Sequence, residues 1–255
     1  MGMPSVVKLI LRNLKVNTDA GSLMILVGLP ALYLVFFGFG FQSLIPKEPG
    51  SPNYLEFLAP GIVAFQTVIA GTVAGSMLWA DRRWGMLAQL LVGPFTRLEY
   101  LLGIMLTAVA FGLLGAVVMI GAAYLLIGSL TLTAVGVLLI LTTLVVGSIL
   151  FGSLMLLLAA LVKSNNAYNS IQILLLFVVN FASTVFYPEG SGLPLSIQIL
   201  FNANPLTYVA NTVRHGYLGT YGSGDIFSLG LLLAETVVFL SLAVWSYMRS
   251  HVSFV

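Results

Sequence analysis

The chain has 255 residues, of which 59% are hydrophobic and only 7% charged, with a formal charge of +2 and a mean hydropathy of +1.07. A soluble domain of this size needs more polar surface than that, so the exterior is expected to be solvated by lipid. The absence of cysteine excludes disulfides, thiolate metal sites and cysteine nucleophiles.

Residues 5–20 read as an amphipathic helix lying on the membrane surface. At about 100° per residue, Lys8, Arg12, Lys15 and Asp19 fall in one stripe, while Val7, Ile10, Leu11 and Leu14 point elsewhere. Six apolar blocks follow, at 22–45, 57–80, 100–127, 133–162, 168–187 and 227–248. Each reaches the roughly 20 residues that a helix needs to cross the hydrocarbon core. Nothing alternates with period two, which excludes a barrel, and Pro30 and Pro60 are tolerable in membrane helices. The third and fourth blocks are long enough to tilt. The first is too long for a signal-peptide core and no small-residue cleavage site follows it, so the N-terminus is expected to be retained.

The connections are short, except for two. Segment 81–99 is the only substantial interior loop on the basic side. Segment 188–226 holds the apolar runs 193–201 and 206–213, too short to span and broken by Asn204-Pro205, which predicts a re-entrant helical hairpin beside the fifth block. Basic residues are sharply partitioned. With a cytoplasmic N-terminus, Lys8, Arg12, Lys15, Arg82, Arg83, Arg97, Lys163 and Arg249 fall inside, against Lys47 and Arg214 outside. This is the positive-inside pattern, and it predicts six spans with both termini cytoplasmic in a single transmembrane domain. No internal repeat is visible.

Catalysis needs convergent titratable groups, and the blocks offer almost none. Glu235 is the acid clearly within the hydrocarbon. It is a functional candidate because burying a carboxylate is costly, and equally a hydrogen-bonded structural carboxyl. His215 and His251 are isolated. The four lysines, at 8, 15, 47 and 163, follow Val7, Leu14, Pro46 and Val162, so no phosphate-cradling Gly-Lys-Ser/Thr turn exists. The stretch 81–97 is more informative. Residues 82–92 suit a helix ended by Gly93-Pro94, with Met86, Leu87, Leu90 and Leu91 as an apolar ridge beside Arg82, Arg83 and Gln89. Such a helix is either a grip for a soluble partner or a surface loop whose arginines only set topology.

The pieces Leu29-Pro30 with Phe36-Phe37-Gly38-Phe39-Gly40-Phe41, Tyr54-Leu55-Glu56-Phe57-Leu58-Ala59-Pro60-Gly61, segment 81–97, and Asn204-Pro205-Leu206-Thr207-Tyr208 with Arg214 and Gly219 run in one order along the chain. In that order the chain resembles the membrane subunit of type 2 ATP-binding cassette (ABC) transporters, as in drug and lipo-oligosaccharide exporters. The resemblance implies that segment 81–97 is a coupling helix docking into a separate ATPase subunit. The N-terminal helix would touch the same partner. Lys8, Arg12, Lys15, Arg82, Arg83, Trp84, Gly85, Met86, Leu87, Gln89 and Leu90 are then the expected ATPase interface. It also implies two ATPase subunits carrying ATP and Mg, and a second membrane subunit giving a homodimer in the cytoplasmic membrane. This chain would hold no cofactor or metal of its own. The path between the two membrane subunits would be lined from the second and fifth spans, by Phe65, Gln66, Thr67, Phe177, Asn180, Phe181 and Thr184, a mixture suited to an amphiphile. The same residue types also glue membrane helices together. The outer hairpin would carry Asn204, Pro205 and Arg214. Alternative readings are a membrane-embedded lipid-processing enzyme or an ion-coupled secondary carrier, each resting on Glu235.

Overall fold

The computed structural model describes residues 5–42, 53–128, 132–188 and 193–250. It is all-helical, with no strand among those residues. In lipid every backbone N–H and C=O needs an internal partner, which a helix supplies within one segment.

Helix α1 (Ser5–Val16) stops short of the expected residue 20 because Asp19 starts the next helix. Its carboxylate accepts from the amides of Gly21 (2.9 Å) and Ser22 (3.2 Å), the preferred chemistry of an N-cap. Then α2 (Ala20–Leu23), a π-helical turn at Met24–Gly28 and α3 (Leu29–Gln42) form one rod. The last three residues of the expected first span, 43–45, lie outside the described residues. Pro30 has no N–H to offer the carbonyl of Leu26 one turn back, and Gln66 Nε2 donates to that oxygen at 3.2 Å instead.

Helix α4 (Tyr54–Arg83) exceeds the expected block 57–80 by three residues at each end. It is capped at its start by Glu56, which accepts the Asn53 amide at 2.8 Å. At 1.5 Å per residue it is about 45 Å long. It is the hub of the bundle, packed against α3 and the later helices α6, α7 and α10. A Cβ at Gly71 would lie 2.7 Å from the Phe151 carbonyl carbon, and one at Gly75 would lie 2.8 Å from the Met155 oxygen. Small residues here let the two backbones meet. Short α5 (Met86–Val92) follows a sharp corner.

Helix α6 (Arg97–Ile127) opens on a Thr96/Glu99 capping box and so begins three residues before the expected Tyr100; α7 (Ala134–Leu161) matches its expected block to within a residue at each end. Helix α8 (Asn165–Phe181) departs from expectation: its block was 168–187, but 182–187 leaves the helix. Asn204 Nδ2 donates to the carbonyls of Val179 and Ala182 at 2.7 Å each, and Ser183 Oγ donates to that of Asn180 at 2.6 Å. These side-chain donors satisfy carbonyls that a longer helix would have paired itself. Helices α9 (Leu195–Asn202) and α10 (Pro205–Leu218) form the pair foreseen around Asn204-Pro205. The Asn204 side chain caps α10 by accepting the Leu206 amide at 3.0 Å. The last helix, α11 (Ser223–Arg249), packs on α7 and α10.

Among the described residues, five helices are long and apolar enough to cross a membrane: Ala20–Gln42, α4, α6, α7 and α11. At 17 residues, α8 is about 26 Å long, short of the roughly 30 Å hydrocarbon core. The interior divides into an apolar cluster around Leu58, Ile62, Phe65 and Phe186, and a second around Leu9, Leu78, Leu87, Tyr100, Tyr168 and Tyr247 near the basic end.

Candidate functional site

The corner between α4 and α5 is where chemistry accumulates at the basic end. Gly85 sits at φ +69°, in the left-handed region, so α4 stops at Arg83 and the chain turns before α5 begins. This corrects the expected continuous helix over 82–92. It also separates the two arginines. Arg82 is 3% exposed and points back into the bundle, donating from NH1 to the carbonyls of Ala159 (2.8 Å) and Ala160 (3.3 Å) at the end of α7. A cation at a helix C-terminus is favourable there, and it takes Arg82 out of the expected docking face. Arg83 is exposed and lies over the Trp84 ring at 5.3 Å.

Three of the four ridge residues of α5 face inward as well. Leu87 is buried, and Leu90 and Leu91 pack partly against the core. Pointing away from the bundle are Arg83, Trp84, Met86, Gln89 and Val92, with Trp84 74% and Val92 90% exposed. Val92 is not among the expected interface residues, and nothing in the pattern of 86–92 marks which side of α5 meets the bundle.

Helix α1 is tied to this corner. Arg12 makes a bidentate contact with Asp81, with NH1–Oδ2 at 3.0 Å, and Tyr100 donates its hydroxyl to Asp81 Oδ2 at 2.8 Å. The hydrogen bond to Asp81 holds the Arg12 guanidinium above its ordinary value, although burial pushes the other way. Leu9 and Asn13 are buried, with Asn13 Nδ2 donating to Thr107 Oγ1 at 3.3 Å. Lys8 and Lys15 remain exposed. No local pattern announces an Arg12–Asp81 contact between residues 69 apart in the chain.

The residues expected to line a path separate into two groups. Phe65, Gln66, Thr67, Asn180 and Thr184 are fully buried within this one chain. Gln66 serves the Leu26 carbonyl, Thr67 bonds its own helix at Ala64, and Thr184 Oγ1 donates to Asn211 Oδ1 at 2.9 Å. Within the single chain Phe65, Gln66 and Thr67 are enclosed because α4 is surrounded by its neighbours, and Asn180 and Thr184 are enclosed at and just beyond the end of α8. Phe177 is 47% exposed and stacks on Phe181 at 6.0 Å, and these two remain on an open surface of α8 together with Ile173, Leu174 and Val178.

At the other end, Arg214 is 7% exposed. It donates to the carbonyls of Phe57 (Nε, 3.1 Å) and Thr184 (NH2, 2.9 Å) and to Asn211 Oδ1 (NH1, 2.7 Å), with Cζ 3.8 Å above the Phe57 ring. With Asn204 it fastens α10 to α4 and to the turn after α8. His215 Nδ1 meets Asp225 Oδ1 at 2.7 Å and joins α10 to α11. Glu235 is partly buried and one of its oxygens is enclosed without a hydrogen bond among the described residues. No three His, Asp or Glu side chains converge there or elsewhere among the described residues.

A hub helix crossed by several long apolar helices, with a basic surface helix and a projecting corner at one end, defines a multi-pass membrane protein. The sequence profile of the ABC-2 type transporter family matches residues 7–218, most of the chain and every feature described above except α11. The chain belongs to that family and is a membrane permease subunit of an ABC transporter, a class whose ATP hydrolysis resides on a partner ABC ATPase. No individual curated protein matches the chain.

Proposed function

We propose that this subunit exports an amphiphile across the cytoplasmic membrane as one half of a dimer, driven by an ABC ATPase that grips the α4–α5 corner. In this reading both termini lie on the cytoplasmic side, and α8 with the turn 182–187 completes a sixth crossing. The carrying observation is the corner itself: Arg83, Trp84, Met86 and Gln89 project from the end of the hub helix, and Arg12–Asp81 ties the surface helix α1 to the same point. A push on Trp84 is transmitted directly along α4, which touches most of the bundle. ATP and Mg, bound by the partner, would favour one packing of the dimer by differential affinity. Cargo would move along the open face of α8, where aromatic and aliphatic side chains suit an apolar tail. α8 also has little support from its own chain for its length, with Tyr168 and Asn180 its buried residues.

The test uses Trp84→Asp and Met86→Asp, singly and together. Both side chains are exposed, so the fold should survive. The expected outcome is loss of the ABC ATPase from the affinity-purified complex, with the permease still monodisperse. Undiminished ATPase recovery together with undiminished ATP-driven transport would refute the reading.

A further inference from the structure

The described cavity at the end of α8 has an unusual lining. Val178, Phe181 and Ala182 form one wall, Tyr187 the back, and Ile197 and Phe201 of α9 the opposite wall, around a volume of about 560 Å³. We infer that this cavity is a binding site for a single hydrocarbon chain, the tail of the exported amphiphile. The inference rests on the α8 path proposed above and names the part of the cargo that this end of the path accepts.

Four observations carry it. The walls present no charged or amide side chain, and their one polar side-chain atom is the Tyr187 hydroxyl. A headgroup drawn inside would lose its water and gain almost no hydrogen bonds, whereas a hydrocarbon chain loses nothing. The volume falls in the range of small-molecule sites and is too small for a helix of another protein. The walls are preformed, because Phe181 is stacked on Phe177 and on Phe186 at interplanar angles of 7° and 16°, and Tyr187 lies against Phe201 at 17°. The Asn204 side chain, bonded to the carbonyls of Val179 and Ala182, anchors the end of α8 so that the wall cannot collapse inward.

The fourth observation selects the occupant. Val178 belongs both to the cavity and to the exposed strip of α8 that includes Leu174 and Phe177, so the cavity is continuous with that strip. A tail sliding along α8 enters without crossing a polar barrier.

The experiment takes the whole complex with its ATPase in phosphatidylcholine nanodiscs. The probe is palmitoyl-lysophosphatidylcholine with a diazirine at the chain terminus; a diacyl phosphatidylcholine with the same tagged chain reports ordinary bilayer contact. The expected result is lysolipid labelling concentrated in the 178–187 and 197–201 peptides and reduced when vanadate traps the complex. Palmitoyl lysolipid should compete, and its butanoyl analogue should not. Ala182→Phe narrows the cavity, and displacing about two methylenes corresponds to about a tenfold loss of labelling. Ile197→Asn is the second variant, placing an amide in the wall from a partly exposed position, and it should lower labelling in the same direction. Equal labelling by the diacyl probe, indifferent to vanadate, would make the occupant a bilayer lipid and overturn the inference, as would labelling unaltered in both variants. Either failure can occur while the ATPase still depends on Trp84 and Met86, so it is distinguishable from failure of the export reading.

Discussion

Replacing Asp81 with Asn leaves the shape of the side chain and removes its charge at the point where α1 meets the α4–α5 corner. The Asp81 and Arg12 side chains are 12% and 27% exposed, and Asp81 also accepts the Tyr100 hydroxyl. Fully exposed pairs contribute about 0.2–1 kcal/mol, while removing one partner of a buried pair costs about 3–5 kcal/mol; this geometry falls between, at about 2 kcal/mol. Arg12 does not titrate away in compensation, since a guanidinium stays protonated without help from a neighbouring carboxylate. The assay is a double-mutant cycle with Arg12→Gln, measured by reversible unfolding in mixed micelles. A coupling energy of at least about 1 kcal/mol is expected for groups in direct contact. Hydrogen exchange should also rise in α1, and the ratio of cargo moved to ATP hydrolysed should fall more than ATPase binding does. Additive single-mutant effects with unchanged exchange in α1 would show that the pair carries no such load, and the view of α1 and the corner as one unit would fail.

Gly85→Ala should cost about 1–2 kcal/mol from backbone strain alone, because the residue is left-handed and no heavy atom lies within 4 Å of a Cβ built there. Its signature is weakened ATPase co-purification that Gly85→Asn partly restores. Gln66→Leu should destabilise the bundle by about 1–3 kcal/mol by removing the donor that serves the Leu26 carbonyl, and the loss should shrink in a Pro30→Ala background that returns a backbone N–H. Unfolding of the two single variants and the double variant measures this directly. The Asp19 carboxyl is held below its usual range by the hydroxyl and amide of Ser22. Its capping contribution is therefore complete above the ordinary carboxylate pKa and disappears as pH falls through the lowered value. Amide exchange at Gly21 and Ser22 should accelerate only in that acidic window, and Asp19→Ala should remove the pH dependence.

The pattern of long apolar blocks identified an all-helical membrane bundle, because run length against bilayer thickness is a one-dimensional quantity. It also located the break at Asn204-Pro205, since proline acts on its own backbone, whereas the corner at Gly85 falls inside the helix expected over 82–92. The start of α6 is set by Thr96 and Glu99, a cap that precedes the apolar run beginning at Tyr100 and is therefore invisible to hydropathy. The end of α8 was not readable. The donors that stop it come from Asn204, more than twenty residues away, whereas the apolar run continues through Tyr187.

Which face of each helix meets protein was decided by the tertiary structure alone. Gln66 and Thr67 are adjacent polar residues on α4, yet Gln66 donates to the Leu26 carbonyl of another segment and Thr67 to Ala64 of its own helix. Arg82 and Arg83 are adjacent in the chain, yet one closes the end of α7 and the other faces outward. In an ordinary soluble helix the apolar face would have indicated the interior. In lipid both faces are apolar, so the sequence by itself determined that the chain is a bundle of long apolar helices, while the assignment of inside and outside waited on the packing of one helix against another.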